Sequence, residues 1–214
     1  MSDALARILA AAERGEFPPP DGTTTVVPQP SGRDAGVLAF TAHSVVFTDE
    51  DPEWVRAALA SVSSDPLAAS MNPGFLGALM ARTGRSMNTI DLLTVAPSRP
   101  GPPELPLREI DDPEHPRVAR ARHFRDDVRV WATHGGVLVL GRGVAGRWEA
   151  AIEVDLEARG AGLGARLADA ARHLVPDGRH VWAQQAPGNA RSVRTFQLAG
   201  FRPVGSEALL LPSG

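Results

Sequence analysis

The chain has 214 residues, a formal net charge of −3 and 43% hydrophobic residues, enough for one large domain or two small ones. This balance offers no basic stripe of the kind that binds nucleic acid. Because cysteine is absent, disulfides, thiolate catalysis and cysteine-based zinc sites are excluded.

Neither a membrane nor a metal is indicated by the sequence. No stretch approaches the roughly 18 continuous apolar residues of a membrane helix, and the first residues alternate apolar with charged side chains, unlike a signal peptide. The 6 histidines show no metal-ligand spacing. The basic residues are all arginine and tyrosine is absent, which, with 21 Gly and 19 Pro, indicates a high-GC bacterial genome. We expect a cytoplasmic protein.

The first 96 residues predict an α/β subdomain. Asp-Pro and Asn-Pro pairs mark two helix starts, because Asp and Asn cap helices and proline suits the first helical position. The predicted helices are 3–14, capped by Ser2, and those opening at Asp51-Pro52 and Asn72-Pro73; the strands are 37–47, with a break point near Thr41-Ala42, and 90–96.

Residues 97–104 are rich in proline and cannot form a helix or an inner strand. They predict a linker between domains over 1–96 and 105–214.

The second half shows a more regular alternation of elements. A Gly-rich turn at 134–136 between two apolar runs indicates a β-hairpin, and Gly200 suits a helix end. The predicted strands are 107–110, 128–133, 137–140, 148–154, 180–183 and 201–211, and the predicted helices begin at Asp112-Pro113 and span 162–174 and 189–199.

A glycine-rich loop, residues 159–164, lies between the strand ending at Val154 and the next helix. Glycines let backbone N–H groups approach an anion, and the helix start adds open N–H groups and the positive end of its dipole. The segment predicts a pyrophosphate cradle.

Two kinds of nucleotide site fit such a loop. Gly160 to Ala165 matches the G-x-G-x-x-A fingerprint of NAD(P)-dependent oxidoreductases. Three observations count against it. Five residues separate Val154 from Gly160, whereas the turn of a dinucleotide site is tight, and the strand 180–183 has no acidic residue at its end to bind a ribose. The 50 residues after Gly164 are also too few for the βαβαβ unit of such folds.

The other interpretation rests on two motifs. The segment Arg159-Gly160-Ala161-Gly162-Leu163-Gly164 resembles the R/Q-x-x-G-x-G/A motif of the GNAT superfamily of acyl-CoA-dependent N-acyltransferases. Asn189 to Phe196, followed by Gly200-Phe201, resembles its N-x-x-S/A-x-x-x-Y/F helix. The order and spacing also match, and the resemblance covers about residues 105–211.

This resemblance implies a cofactor site for acetyl-CoA, with no metal. Backbone amides of the loop would bind the pyrophosphate, one strand would pair with the pantetheine amides, and the later helix would contact the pantetheine arm and lie near the thioester. The implied residues are Ile152, Val154, Arg159, Gly160, Ala161, Gly162, Leu163, Gly164, Asn189, Ser192 and Phe196.

The sequence also offers candidates for the catalytic groups. Many family members have tyrosine where this chain has Phe196, which leaves Ser192 as a candidate proton donor to the thiolate. Glu149 and Glu153 are the strand carboxylates, and both lie on the face opposite Ile152. A β-bulge would reverse Glu149, so Glu149 ranks first as the base, with a water relay as the alternative.

The resemblance implies a mixed α/β (α+β) fold, with a central, mostly antiparallel twisted sheet flanked by helices. Since 13 residues follow Phe201, enough for one strand, the N-terminal half should cover or extend the sheet edge. That half could itself be a reduced GNAT-like copy; it lacks the loop, so it should shape the acceptor pocket rather than bind CoA.

The expected activity is transfer of acetyl from acetyl-CoA to a primary amine. Two alternatives remain: a GNAT domain that binds acyl-CoA without catalysis and, less favoured, an NAD(P)-dependent oxidoreductase. The expected partner is a small-molecule or peptide amine, with a homodimer as an option and with neither nucleic acid nor a membrane.

Overall fold

A computed structural model describes residues 4–62, 65–112, 114 and 116–212. These residues form two compact units: the described part of 1–92 together with 204–212, and the described part of 93–203. The expected cap Ser2 and the helix start at Pro113 lie outside the described residues.

The first unit combines a sheet with helices. Its helices are α1 (Ala4–Glu13), α2 (Pro52–Val62), α3 (Pro66–Ala69) and α4 (Pro73–Thr83). Its strands are β1 (Thr24–Val27), β2 (Ala35–Phe40), β3 (His43–Phe47), β4 (Arg85–Ser86), the first residues of β5 (Ile90–Ala96) and most of β11 (Arg202–Pro212). The strand order is β1-β3-β2-β11-β5, and β4 also pairs with β11.

Caps fix the helices of this unit where the sequence predicts them. Asp51 Oδ1 accepts a hydrogen bond from the backbone N–H of Glu53 at 2.9 Å, and Asn72 Oδ1 accepts one from Gly74 at 2.8 Å. The run 37–47 is not one strand: it turns at the predicted break near Thr41-Ala42, so β2 and β3 form an antiparallel hairpin.

Two carboxylates of the first unit lie near each other on β5 and β11. Glu207 is 1% exposed, and its register partner on β2 is Leu38. Burial, followed by the charge of Glu207, raises the pKa of Asp91 from 3.8 to about 6. Asp91 is therefore protonated at a higher pH in the folded protein than in the unfolded chain.

The second unit carries the motifs. Its helices are α5 (Pro116–Phe124), α6 (Leu163–Leu174) and α7 (Ala190–Leu198). Besides the last residues of β5, its strands are β6 (Arg108–Ile110), β7 (Asp126–Thr133), β8 (Gly136–Arg142), β9 (Trp148–Val154) and β10 (Val181–Gln185). The strand order is β5-β10-β9-β8-β7-β6.

The predicted fold class is confirmed: a mixed α/β protein with a mostly antiparallel sheet and helices packed on it. In the second unit, β6–β7, β7–β8 and β8–β9 pair antiparallel, and β9–β10 pair parallel. One core cluster joins β9 to α6 and α7 through residues such as Ala150 and Leu167, and a second joins it to α5 through Ala151 and Val118. The two faces of β9 thus meet different helices.

The structure gives α5 from Pro116 onward, and the predicted start at Asp112-Pro113 stays a prediction because Pro113 lies outside the described residues. Segment 97–104 packs within the second unit, where the Arg99 N–H donates to Arg172 O at 2.7 Å and Ser98 Oγ donates to Gly178 O at 2.9 Å. The division into domains at this segment stays a prediction.

Within the described part of the chain, no helix has the length and apolar character that crossing a membrane requires. Among the same residues, no group of three or more His, Asp or Glu side chains is arranged to hold a metal ion.

We predict that Asp91→Asn stabilises the protein at pH 8, by about 1.5 kcal/mol after solvent screening is allowed for. The folded pKa is raised above 3.8, so the contribution of Asp91 to stability is most favourable below that pH and is lost as the pH rises through about 6. Thermal unfolding should show that the gain shrinks as the pH falls towards 4. The exposed Asp111→Asn is the control, and an equal gain at all pH values would contradict the assignment.

Candidate functional site

A cavity of about 760 Å³ opens in the second unit between β9, the glycine-rich loop, the start of α6 and the face of α7. We call it the cleft. Its lining residues are Ile152, Glu153, Val154, Ala158, Arg159, Gly160, Gly162, Leu163, Gly164, Ala165, Asn189, Arg191, Ser192, Thr195 and Leu198.

The cleft lies where two parallel strands separate. The register of β9 with β10 joins Trp148 to Val181 and Glu149 to Trp182, and among these fully described strands it goes no further. The register of β9 with β8 continues from Trp148 to Val154. Past Glu149, the edge of β9 away from β8 is therefore outside the β10 ladder, and its backbone groups can pair with an extended ligand.

The glycine-rich loop presents backbone to the cleft. Gly160 has a φ of +89° and Gly162 a φ of +77°, conformations that favour glycine. A Cβ at either position would meet no atom within 4 Å, so the space above the loop is open. Gly162 is the N-cap of α6 and supplies no side-chain hydrogen bond; the first helical bond runs from Arg166 N–H to Gly162 O at 3.2 Å. The N–H groups of the first turn therefore face the cleft unblocked.

Gly164 has a different role from these two glycines. A Cβ there would lie 3.1 Å from Thr195 Cγ2, 3.7 Å from Val154 Cγ2 and 3.8 Å from Ile152 Cδ1. The missing side chain lets α6 approach α7 and β9 closely, which sets the width of the cleft.

Two guanidinium groups belong to the cleft. Arg159 Nε donates a hydrogen bond to Val154 O at 3.2 Å, which ties the loop back to the end of β9. Arg191 is exposed on the first turn of α7. Within the described residues, neither side chain forms an ion pair with a carboxylate. Both can therefore bind an anionic ligand.

The start of α7 forms the opposite wall. Asn189 caps the helix through its Oδ1, which accepts the Ser192 N–H at 3.1 Å. This leaves the amide nitrogen of Asn189 available, and both residues line the cleft. A structural cap and a ligand contact are thus compatible at Asn189.

Most of the cofactor-binding residues expected from the motifs converge on this cleft. Ile152, Val154, Arg159, Gly160, Gly162, Leu163, Gly164, Asn189 and Ser192 line it. Ala161 does not line it, although it belongs to the same loop. Phe196 does not line it either: it is 3% exposed and packs edge-on against Phe201, with ring centroids 4.9 Å apart. Its surroundings are those of a core residue rather than of a ligand contact.

Glu149, the first-ranked base, lies away from the cleft in a buried ion-pair cluster. The unbroken β8–β9 register contains no bulge, so the reversal required to turn Glu149 towards α6 does not occur. Its carboxylate accepts from Arg147 Nε at 2.8 Å and from Arg125 Nε at 3.0 Å, and Glu149 is 4% exposed. A Cβ added to Gly143 would lie 2.3 Å from this carboxylate, so the glycine makes room for it.

The protonation state of Glu149 follows from this cluster. Burial alone would raise the pKa of Glu149, but the charges of Arg147 and Arg125 and hydrogen bonds from Arg147 and Gln184 outweigh burial and hold the pKa below its ordinary value. A carboxylate held ionised by two guanidinium groups is a weak proton acceptor. The geometry therefore indicates a structural ion pair.

Sequence reasoning missed several cleft residues. Arg191, Thr195 and Leu198 lie on α7 at positions that the motif leaves unspecified, and Leu198 is 82% exposed. Of the two strand carboxylates, Glu153 rather than Glu149 lines the cleft.

No protein-family model matches the sequence, and no curated protein matches it. The solved structures that are similar to it include the following three. A GCN5-related N-acetyltransferase from Sphaerobacter thermophilus is 14% identical with a TM-score of 0.41, and 64% of this chain and 55% of that chain are covered. One from Kribbella flavida is 16% identical with a TM-score of 0.44, and 100% and 96% are covered.

The third is a tandem GNAT protein from the clavulanic acid biosynthesis pathway, solved without AcCoA; it is 16% identical with a TM-score of 0.38, and 65% and 58% are covered. The chain thus spans little more than half the length of the first and third structures.

We predict that Glu149→Gln lowers the free energy of unfolding by about 3 kcal/mol, because the substitution leaves the buried guanidinium group of Arg147 and the partly buried one of Arg125 without their counter-charge. Urea denaturation measures the loss. The exposed Glu157→Gln, on the loop beyond the same strand, should change stability by less than about 0.5 kcal/mol. A loss of under about 1 kcal/mol for Glu149→Gln would show that the cluster is not a structural element.

Proposed function

We propose that the cleft binds acetyl-CoA and that the protein is an N-acetyltransferase that transfers the acetyl group to a primary amine. The observation that carries this proposal is the separation of β9 from β10 beyond Glu149, which opens an unpaired strand edge into a cavity closed by the glycine N-cap of α6. Such a cavity suits a long, flexible ligand with an anionic group partway along it.

The pyrophosphate would lie against the glycine-rich loop. The first-turn N–H groups of α6 and the positive end of its dipole stabilise negative charge at Gly162. Arg159, in the loop, and Arg191, on α7, would add charge-assisted hydrogen bonds. The open space above Gly160 and Gly162 lets phosphate oxygens reach the backbone.

The pantetheine arm would extend along β9. Its amides can exchange hydrogen bonds with the open backbone edge near Ile152 and Val154, as a third strand would. The same two side chains and Leu163 provide apolar walls for the methylene groups. Asn189 can donate its side-chain N–H groups to the arm from α7.

Transfer to an amine needs three things from the protein: a bound thioester, removal of the ammonium proton and stabilisation of the departing thiolate. The amine nitrogen forms a bond to the acetyl carbon, the C–S bond breaks, and the sulfur leaves with the electron pair. Ser192, which lines the cleft together with a second hydroxyl residue, Thr195, can donate a proton to that sulfur. Because the charge of Glu149 is compensated by Arg147 and Arg125, Glu149 is a poor base, and a water relay is the route that we favour for the ammonium proton.

A second candidate is an acyl-CoA-binding protein without catalysis. Two observations favour it: the sequence has no tyrosine to protonate the thiolate, and Phe196 lies in the core instead of the cleft. Both candidates require the same cofactor site, and release of free CoA thiol in the presence of an amine separates them.

We predict that the full chain binds acetyl-CoA and that Gly162→Glu weakens binding by at least about tenfold, because a carboxylate at the helix N-terminus repels the pyrophosphate and fills its space. Isothermal titration calorimetry measures the affinity. Gly146→Glu is the matched control, since Gly146 has a similar φ of +74° and equally open space but lines no part of the cleft.

The two variants should share the backbone strain of a side chain at positive φ, so equal losses in both would place the effect in folding rather than in binding. No binding by the wild-type chain would overturn the proposal. Binding without release of free thiol across a panel of primary amines would leave only the second candidate.

A further inference from the structure

Two buried polar side chains join β5 to β10 inside the second unit. Thr94 on β5 is 0% exposed, and Gln185 at the end of β10 is 2% exposed. Thr94 Oγ1 donates a hydrogen bond to Ala183 O at 3.0 Å and accepts one from Gln185 Nε2 at 3.1 Å. We call these two residues the Thr94–Gln185 pair.

The pair acts at the point where β10 leaves β9. The last rung between those strands joins Glu149 to Trp182, and Ala183 is the next residue of β10. From Ala183 onward, hydrogen bonds with Thr94 tie β10 to β5, its neighbour on the other side in the sheet. Because these contacts satisfy a buried carbonyl and a buried amide, β10 gains little by returning to β9.

The strand that holds β10 is itself held by α6. Just beyond the end of β5, Arg172 Nε donates a hydrogen bond to Pro97 O at 2.9 Å, and the Arg99 N–H donates one to Arg172 O at 2.7 Å. Arg172 lies in the last turn of α6, whose first turn borders the cleft. The pair therefore links β10 to a fixed support that includes the helix of the glycine N-cap.

We propose that Thr94, supported by Gln185, is a positioning residue for the cleft: its hydroxyl holds β10 against β5 and so keeps the edge of β9 open for the pantetheine arm. This inference rests on the proposed function, because it needs the arm to lie along that edge. Neither residue of the pair lines the cleft, so the effect is exerted through the backbone of β10.

The two halves of CoA should depend differently on the pair. The nucleotide half would lie at the glycine-rich loop and the first turn of α6, which the pair does not touch. The pantetheine half needs the edge of β9 beyond Glu149 to be unpaired. Without the Thr94 hydroxyl, Ala183 O and the Gln185 amide would be buried without this partner. Such a loss is costly, so β10 would shift towards the open edge of β9, which can replace the missing hydrogen bonds.

The test compares acetyl-CoA with adenosine 3′,5′-bisphosphate, the nucleotide end of CoA without its arm, in calorimetric titrations of the full chain. Thr94→Val keeps the shape of the side chain and removes the hydroxyl. It should weaken acetyl-CoA by about tenfold and change the affinity for the bisphosphate by less than about twofold. Thr94→Ser retains the hydroxyl and should restore most of the acetyl-CoA affinity. Thr48→Val is the matched control, because Thr48 is also buried and its Oγ1 accepts the Glu50 N–H, but it belongs to the first unit. It should leave both affinities unchanged.

Each outcome decides a separate point. Unchanged acetyl-CoA affinity in Thr94→Val overturns the positioning role while the proposed function stands. An equal loss for both ligands, or a loss that Thr94→Ser does not recover, also overturns it, because either result indicates a general disturbance of the second unit. Binding of neither ligand by the wild-type chain overturns the proposed function and, with it, this inference. If Thr94→Val does not fold, Gln185→Leu, which removes the amide and keeps the bond from Thr94 to Ala183, should show the same selective loss to a smaller extent.

Discussion

The separation of β9 from β10 is the constraint on which the rest of the site depends. The two strands run parallel and are joined by α6, yet they pair only at Trp148–Val181 and Glu149–Trp182. An unpaired backbone edge beside a core is costly unless water or a ligand satisfies it. The cleft supplies both access and space, and the glycine at position 164 lets α6 and α7 stay close enough to keep the opening narrow.

The paired end of β9 is held by charge as well as by the sheet. Glu149 and its two arginines form a buried cluster, and Arg147 also lies over the ring of Trp182 on β10, 5.3 Å from its centroid. Breaking a cluster of this kind leaves buried charge uncompensated, so its groups stay in one arrangement in the folded protein. It anchors β9 and β10 together immediately before they diverge, so the ion pairs that remove Glu149 from proton transfer also define where the cleft begins.

Short sequence patterns predicted those features of the site that depend only on neighbouring residues. Glycines with positive φ, the cap at Asn189 and the strand ending at Val154 are short-range features, and the structure has them where the motifs indicate. The facing of Glu149 was not predictable, because strand alternation and a bulge give opposite answers and only the register with β8 decides. The packing of residues 97–104 was also not predictable, because their composition indicates only the absence of a helix or inner strand. In the structure, Arg172 and His173 hold this segment through contacts with its backbone carbonyl groups.

The distribution of arginine explains how a chain with a net charge of −3 could attract a polyanion. Many of its guanidinium groups are neutralised in place, as at Arg82–Glu50, Arg129–Glu109 and Arg142–Asp127. Those that line the cleft are not: Arg159 and Arg191 have no ion pair with a carboxylate among the described residues. The local field near a binding site depends on such uncompensated charges and on helix dipoles more than on the total. Because arginine stays protonated at any working pH, this attraction should not vary with pH, unlike the removal of the ammonium proton.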